Sequence, residues 1–314
     1  MATRFNHSPI SMKIYPAMLA LLLPVGAAAM TYEYPPPEFS LIGTVDAVEA
    51  SYEDTLLDIA RRYSIGQEEI VLANPGVDRW LPGAGTVVVI PSQFVLPQTP
   101  HEGLVLNLPE MRLYYYPKRE KDDRPQVQTY PVGIGRVDWA TPLGQTRLVD
   151  KVKDPSWRPP ESIRREHAAE GDPLPVVVPP GPNNPLGRYA MRLGIPGYLI
   201  HSTNKGFGVG MRVSHGCIRM APEDIEKLFP QIPVGTPVRI VNQPAKAGWY
   251  GGKLYLEIHP PLEEDLAGRA RLLDSAFAAI ETALQERNIE VDEAAVRRVI
   301  KQQSGMPEVV SVDS

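Results

Sequence analysis

Apolar residues recur at helical and strand periods in separate stretches of the chain. Over 54–63, Leu56, Ile59, Ala60 and Tyr63 fall at three- and four-residue spacing, which predicts a short amphipathic helix. Ile70, Val71, Leu72 and Ala73 predict a second helix over 67–74, stopped by Asn74-Pro75-Gly76. β-Branched runs flank the pair, at 45–48 before it and at 86–90 after it, the second closed by Pro91. Residues 44–91 therefore read as a small βααβ unit, preceded by a Pro- and Tyr-rich extended leader at 30–43.

After a Pro-containing linker at 92–103, residues 104–243 are strand-rich. The runs 105–108 and 112–116 predict a hairpin around Pro109-Glu110, and 127–132, 144–149, 189–193 and 236–241 are further strands. One helix is expected over 221–229, with Pro222 in its first turn and Pro230 ending it. The texture changes again over 244–314. Leu266, Ala270, Leu273, Phe277, Ile280 and Leu284 form one apolar stripe, and Asp292 can cap a second helix through Gln303. These helices are expected to pack on the strand-rich domain; docking a partner is the alternative. The fold class is mainly β, with a small βααβ module and a C-terminal helical tail.

The first 29 residues change the compartment. Lys13 precedes a twelve-residue apolar stretch, 14–25, and Ala27-Ala28-Ala29 follows as a small-residue cleavage site, the pattern of a secretory signal peptide. The stretch is shorter than the ~20 residues a spanning helix needs. Met12 is a second candidate start. Removing 1–29 takes away Arg4 and Lys13 and no acid, moving the net charge from −5 to −7. That charge offers no footprint for nucleic acid. Proline accounts for 34 of 314 residues, about twice the usual ~5%, and favours turns and strand ends over long helices.

Cys217 is the only cysteine, so no intramolecular disulfide can form. A single thiol exported to an oxidising compartment suggests a chemical task. His215 lies two residues before it and His201 sixteen before it. Sixteen residues suffice for a strand, a loop and a return, and Gly206, Gly208 and Gly210 supply the turning freedom. A cysteine nucleophile needs an imidazole in contact, whose charged form lowers the thiol pKa, and donors for the oxyanion. Three zinc ligands are the alternative for this cluster, but the spacing fits no zinc motif and a fourth ligand is not evident. A papain-like protease would carry its cysteine near the mature N-terminus, with the histidine downstream.

The segment Ser214-His215-Gly216-Cys217-Ile218-Arg219, preceded by His201, resembles the signature of the YkuD-type L,D-transpeptidases. Asn107-Leu108-Pro109-Glu110, Pro131-Val132-Gly133-Ile134-Gly135, Thr141-Pro142-Leu143-Gly144 and Asn183-Asn184-Pro185-Leu186-Gly187 also match. In the first unit, Asp54-Thr55-Leu56, Ala73-Asn74-Pro75, Leu81-Pro82-Gly83 and Val89-Ile90-Pro91 resemble a LysM module, a glycan-binding family. Such a unit can also persist as a structural βααβ domain without glycan affinity. Together the pieces resemble the periplasmic, ErfK/YbiS-like branch of the transpeptidases. Two departures are visible: Ser202 where a glycine often follows the first histidine, and Arg219 where some branches have asparagine.

The resemblance implies Cys217 as nucleophile and His201 as general base, with the Ser202 carbonyl orienting the ring. It implies that His215 and Gly216 shape the site and, with the Cys217 amide, the oxyanion hole. Arg219, Tyr189 and Asn204 are the implied substrate contacts, Arg219 as a carboxylate anchor or else a member of a structural ion pair. His101, His167 and His259 read as ordinary surface or loop residues. The implied reaction joins the third residue of a peptidoglycan tetrapeptide stem to an amine, releasing D-alanine, with no metal or organic cofactor. A lysine of an outer-membrane lipoprotein, a second stem or water can be the acceptor. A non-catalytic wall-binding scaffold is the reading from a different class.

Overall fold

The computed structural model describes residues 30–36, 38–118, 124–285, 287 and 289–312. The expected signal peptide, 1–29, lies outside the described residues.

The N-terminal elements are β1 (Met30–Glu33), β2 (Leu41–Gly43), β3 (Asp46–Glu49), α1 (Leu56–Arg62), α2 (Gln67–Ala73), β4 (Val87–Ile90) and β5 (Gln93–Val95). β3 pairs antiparallel with β4, and the two helices lie between them in sequence, so the βααβ order is present. Thr55 caps α1: its hydroxyl accepts from the Asp58 N–H at 3.1 Å, while the Asp58 carboxylate accepts from the Thr55 N–H at 3.0 Å. Asn74 ends α2 and clips it to β4, accepting from the Val89 N–H at 2.7 Å and donating to the Val89 carbonyl at 2.9 Å. Leu56, Ile59, Ile70, Val88 and Ile90 fill the core beneath. The leader and the linker are not merely extended: β1 pairs with the barrel strand at 126–129, and β2 pairs with β5.

The middle of the chain carries β6 (Gly103–Asn107), β7 (Arg112–Tyr116), β8 (Gln126–Gly135), β9 (Gly144–Lys153), α3 (Glu161–Ala169), β10 (Tyr189–Leu193), β11 (Leu199–His201), β12 (Arg212–Ser214), β13 (Ile218–Met220), α4 (Pro222–Gln231) and β14 (Pro237–Val241). The order β8-β13-β11-β10-β9-β14-β6-β7 closes on itself through β7–β8 pairing. Closure leaves no open edge on that ring. Leu104, Leu106, Leu113, Tyr130, Val132, Met191, Ile200, Ile218 and Met220 fill its interior, covered at one side by Ile225 and Leu228 of α4. Pro230 sits within the last turn of α4 rather than ending it, because the helix runs on to Gln231.

β6 and β7 are buried along their whole length. Their alternate residues face two cores: Leu104, Leu106 and Leu113 point into the barrel, while Val105, Tyr114 and Tyr116 pack under the βααβ unit. Arg112 seals that seam. Fully buried, it grips Glu69 of α2 through two N–H···O contacts of 2.5 and 3.2 Å and lies 4.1 Å from the Phe94 ring centroid.

The C-terminal region is not simply helical. It holds β15 (Ala245–Tyr250), β16 (Lys253–Ile258), α5 (Leu266–Ala270), α6 (Leu272–Leu284), α7 (Glu293–Gln302) and β17 (Glu308–Val309). β15 and β16 form a hairpin across Gly251-Gly252, and β17 adds to its edge. The helices pack on this sheet, in a core of their own, not on the barrel: Leu272, Ala276, Ala279 and Ile280 meet Ala247, Trp249, Leu254 and Leu256. The helix breaks at Arg271, and Leu266 and Leu273, expected in the buried stripe, are exposed. Asp292 caps α7 through the Ala294 and Ala295 N–H groups.

A buried ionic knot joins all three parts. The Lys246 ammonium lies 2.9 Å from Glu110 and 2.7 Å from Glu257 and donates to the Val95 carbonyl at 2.7 Å. His259, expected at the surface, is buried against Glu257 at 2.6 Å, because it directly follows β16 and, two residues on, falls on the same side as Glu257.

Candidate active site

β11 and β13 are parallel neighbours, with Ile200 opposite Ile218 and His201 opposite Arg219. Parallel neighbours cannot be joined by a tight turn, and the excursion over 202–217 makes the return. Because side chains alternate along a strand, His201 and Arg219, opposite each other in register, share a face, and Cys217 lies immediately before β13, two residues before Arg219. The long 201-to-217 spacing is thus a strand, a loop and a parallel return.

His201 is buried and lies 2.5 Å from the Ser202 carbonyl through Nδ1. A carbonyl only accepts, so Nδ1 carries the proton and Nε2 keeps its lone pair. Burial, then the Arg219 cation, push the imidazole down to about 4, against the pull of the Ser202 carbonyl. Burial pushes the Cys217 thiol up, opposed by the Leu199 amide and by Arg219. Both shifts favour the neutral form of each group. This differs from the expected imidazolium that lowers the thiol pKa, since burial penalises both members of an ion pair. The half-buried Sγ lies 3.7 Å from the Gly197 carbonyl.

The turn before Cys217 is tied from both sides. Ser214 Oγ donates to the Cys217 carbonyl at 2.5 Å and accepts from the Gly216 N–H at 3.2 Å. Thr141 Oγ1 donates to the Gly216 carbonyl at 2.9 Å. Gly216 has φ +95°, and a Cβ there would lie 2.8 Å from the Tyr198 ring, so the position suits glycine alone. With its N–H engaged by Ser214, Gly216 shapes the turn and does not offer a free amide.

His215 is tied to α3. Its Nε2 lies 2.9 Å from Glu166 of α3, and Trp139 meets its ring edge-on at 5.1 Å. Glu166 also pairs with Arg136, whose guanidinium, followed by His215, holds that carboxyl below its usual range. The segment 154–188, which carries α3, is thereby latched to the turn bearing the cysteine.

Arg219 is half-buried. Among the described residues no carboxylate pairs with it, and its Nε is buried without a partner. A structural ion pair is therefore not its role here. Gly208, at φ +95°, lets the 203–210 loop pass close by; a Cβ there would stand 3.0 Å from Arg219 Nη1. Asn204 is exposed in the same loop. Tyr189, expected as a substrate contact, lies against α4. It is buried, donates its hydroxyl to Glu226 at 3.0 Å and packs on Phe229 at 4.9 Å, because its place on β10 turns it toward α4. Its carbonyl instead accepts from the Ser202 N–H at 2.9 Å, steadying the peptide beside His201.

Residues 101–240 match the YkuD family, the L,D-transpeptidase catalytic domain. Nearly the whole chain is similar to three bacterial proteins, each named "Probable L,D-transpeptidase". It is 40% identical over 309 residues to YbiS of Escherichia coli (strain K12), covering 95% of this chain and 99% of that protein. With YcfS of the same strain the identity is 40% over 315 residues, covering 97% and 95%. With ErfK/SrfK of Salmonella typhimurium it is 39% over 299 residues, covering 93% and 94%.

Proposed function

This chain belongs to the L,D-transpeptidase family and is an L,D-transpeptidase, and from that premise we propose that Cys217 forms an acyl-enzyme on a peptidoglycan tetrapeptide. The observation that carries this reading is the β11–β13 register, which brings His201 opposite Arg219, two residues after Cys217, with the Nδ1 of His201 held by the Ser202 carbonyl.

Sγ attacks the carbonyl of the third stem residue while its proton passes to His201 Nε2. Charge on the carbonyl oxygen is met by the Cys217 amide, and the C–N bond to D-alanine breaks as His201 returns the proton to the leaving amine. An incoming amine then attacks the thioester, His201 takes its proton, and the thiol is restored. The neutral resting pair means that substrate, by excluding water and supplying the developing oxyanion, triggers the transfer. Arg219, with its unpaired Nε, anchors a substrate carboxylate. Asn204, exposed in the 203–210 loop, is the further substrate contact in this reading.

The acceptor we put first is a lysine side chain of an outer-membrane lipoprotein, and after it the diaminopimelate amine of a second stem. The βααβ unit serves as a LysM-like wall-binding module, and the enzyme works in the periplasm after export by residues 1–29. Among the described residues no helix is long and apolar enough to cross a membrane. Incubation with a disaccharide-tetrapeptide, with and without a lipoprotein C-terminal peptide, separates the acceptors by product mass. Loss of D-alanine with attachment to the peptide lysine is expected, and a Cys217→Ala variant that still releases D-alanine overturns the reading.

A further inference from the structure

A cavity of about 420 Å³ opens where the βααβ unit meets the barrel. Its seam is built rather than incidental. The Gln67 and Glu68 N–H groups donate to the Val209 and Gly210 carbonyls at 3.4 and 3.1 Å, and Arg61 bridges to Glu223 of α4 at 2.9 Å. Two large rings line it, Trp80 from the unit and Phe207 from the 203–210 loop, and they stay 63% and 60% exposed. Apolar residues left this open on both sides of one cleft mark a binding surface.

The polar lining narrows the ligand. Asp58, Glu223 and Asp224 contribute three carboxyl groups, against the single guanidinium of Arg61, which Glu223 already engages. An anionic ligand is therefore disfavoured. Asp224 is 2% exposed and its Oδ1 has no partner, so the cleft contains a buried acceptor in want of a hydrogen-bond donor. Burial and the neighbouring Glu223 push that carboxyl up to about 7. A flat, C–H-rich ring with hydroxyl or amide donors on its edge satisfies both the aromatic walls and the carboxyl base.

We propose that this cleft binds a sugar ring of a glycan strand, clasped between Trp80 and Phe207. The choice of a wall glycan rests on the peptidoglycan reading above. What goes beyond it is that half of the glycan site belongs to the catalytic domain, on the same 202–217 excursion that separates His201 from Cys217. Glycan bound there touches the loop that also borders Arg219.

The test is binding of the intact protein to peptide-free glycan strands, followed by tryptophan fluorescence, with free tetrapeptide as competitor. Phe207→Ala and Trp80→Ala should each weaken binding about tenfold or more, and Phe207→Tyr should retain it. Both rings are solvent-exposed, and a thermal midpoint for each variant confirms that it is folded. Undiminished binding by folded Phe207→Ala overturns the shared site. Displacement of the glycan by free tetrapeptide overturns the ligand class, pointing to an amine held by the carboxyls. Release of D-alanine by the unmodified protein is measured in parallel. If release occurs but glycan binding ignores Phe207, the cleft inference alone falls. If binding depends on Phe207 but no release occurs, the acyl-transfer reading alone falls.

Discussion

His201 and Arg219 stand directly opposite each other on parallel strands, and the guanidinium helps hold the imidazole neutral. The base of the site is thereby kept ready to accept a proton in conditions where an ordinary histidine would be charged. The same cation favours the thiolate of Cys217, so one residue tunes both partners.

The pH profile follows with a definite sign. His201 must be neutral to take the thiol proton, so kcat/KM should rise through pH about 4. An unperturbed imidazole would put that limb near ~6.5. Replacing Arg219 by Gln removes the cation and should move the limb to higher pH. A limb near 6.5 in the unmodified enzyme would contradict the neutral pair.

Glu166 holds His215 from the outside, bridging it to Arg136. Glu166→Gln should lower kcat/KM about tenfold. Because this ion pair is only partly buried, the thermal midpoint should move by about 2 °C or less. Equal losses in activity and midpoint would make the contact structural only.

Gly216 occupies left-handed backbone against the Tyr198 ring. Gly216→Ala should cost roughly 1–2 kcal/mol from backbone conformation alone and displace the Cys217 turn. Steady-state turnover should fall at least about a hundredfold, roughly 2.7 kcal/mol, while the barrel remains folded by circular dichroism.

The Glu69–Arg112 pair lies wholly inside the seam between α2 and β7. Removing one partner strands a buried charge, so Glu69→Gln should destabilise the protein by about 3–5 kcal/mol in chemical denaturation. A loss below about 1 kcal/mol would mean that the seam relaxes and admits water.

Much of this was legible in the chain. The βααβ unit announces itself because Leu56, Ile59 and Ala60 recur at helical spacing and Asn74-Pro75 stops the second helix. Cys217 and His201 stand out because few residue types can act as nucleophile and base. The missed parts failed for physical reasons. α3 is polar and partly exposed, with only Ile163 buried, so no apolar period marks it. The C-terminal hairpin did leave a signal: Ala245, Ala247 and Trp249 alternate, as do Leu254, Leu256 and Ile258, around Gly251-Gly252. Lys246 obscures it, since a charged residue at a strand position reads as solvent-facing, yet here it is buried between two carboxylates. Nothing local in the sequence reveals which way β10 turns Tyr189, which donates to Glu226 of α4.

The central claim is a thioester on Cys217. Intact-protein mass spectrometry of an acid-quenched reaction with a tetrapeptide donor tests it most directly. The expected result is a mass gain equal to the donor less D-alanine, mapped to Cys217, absent from Cys217→Ala and discharged by an added amine. D-Alanine release that persists in Cys217→Ala, or an adduct mapped to another residue, would contradict the account.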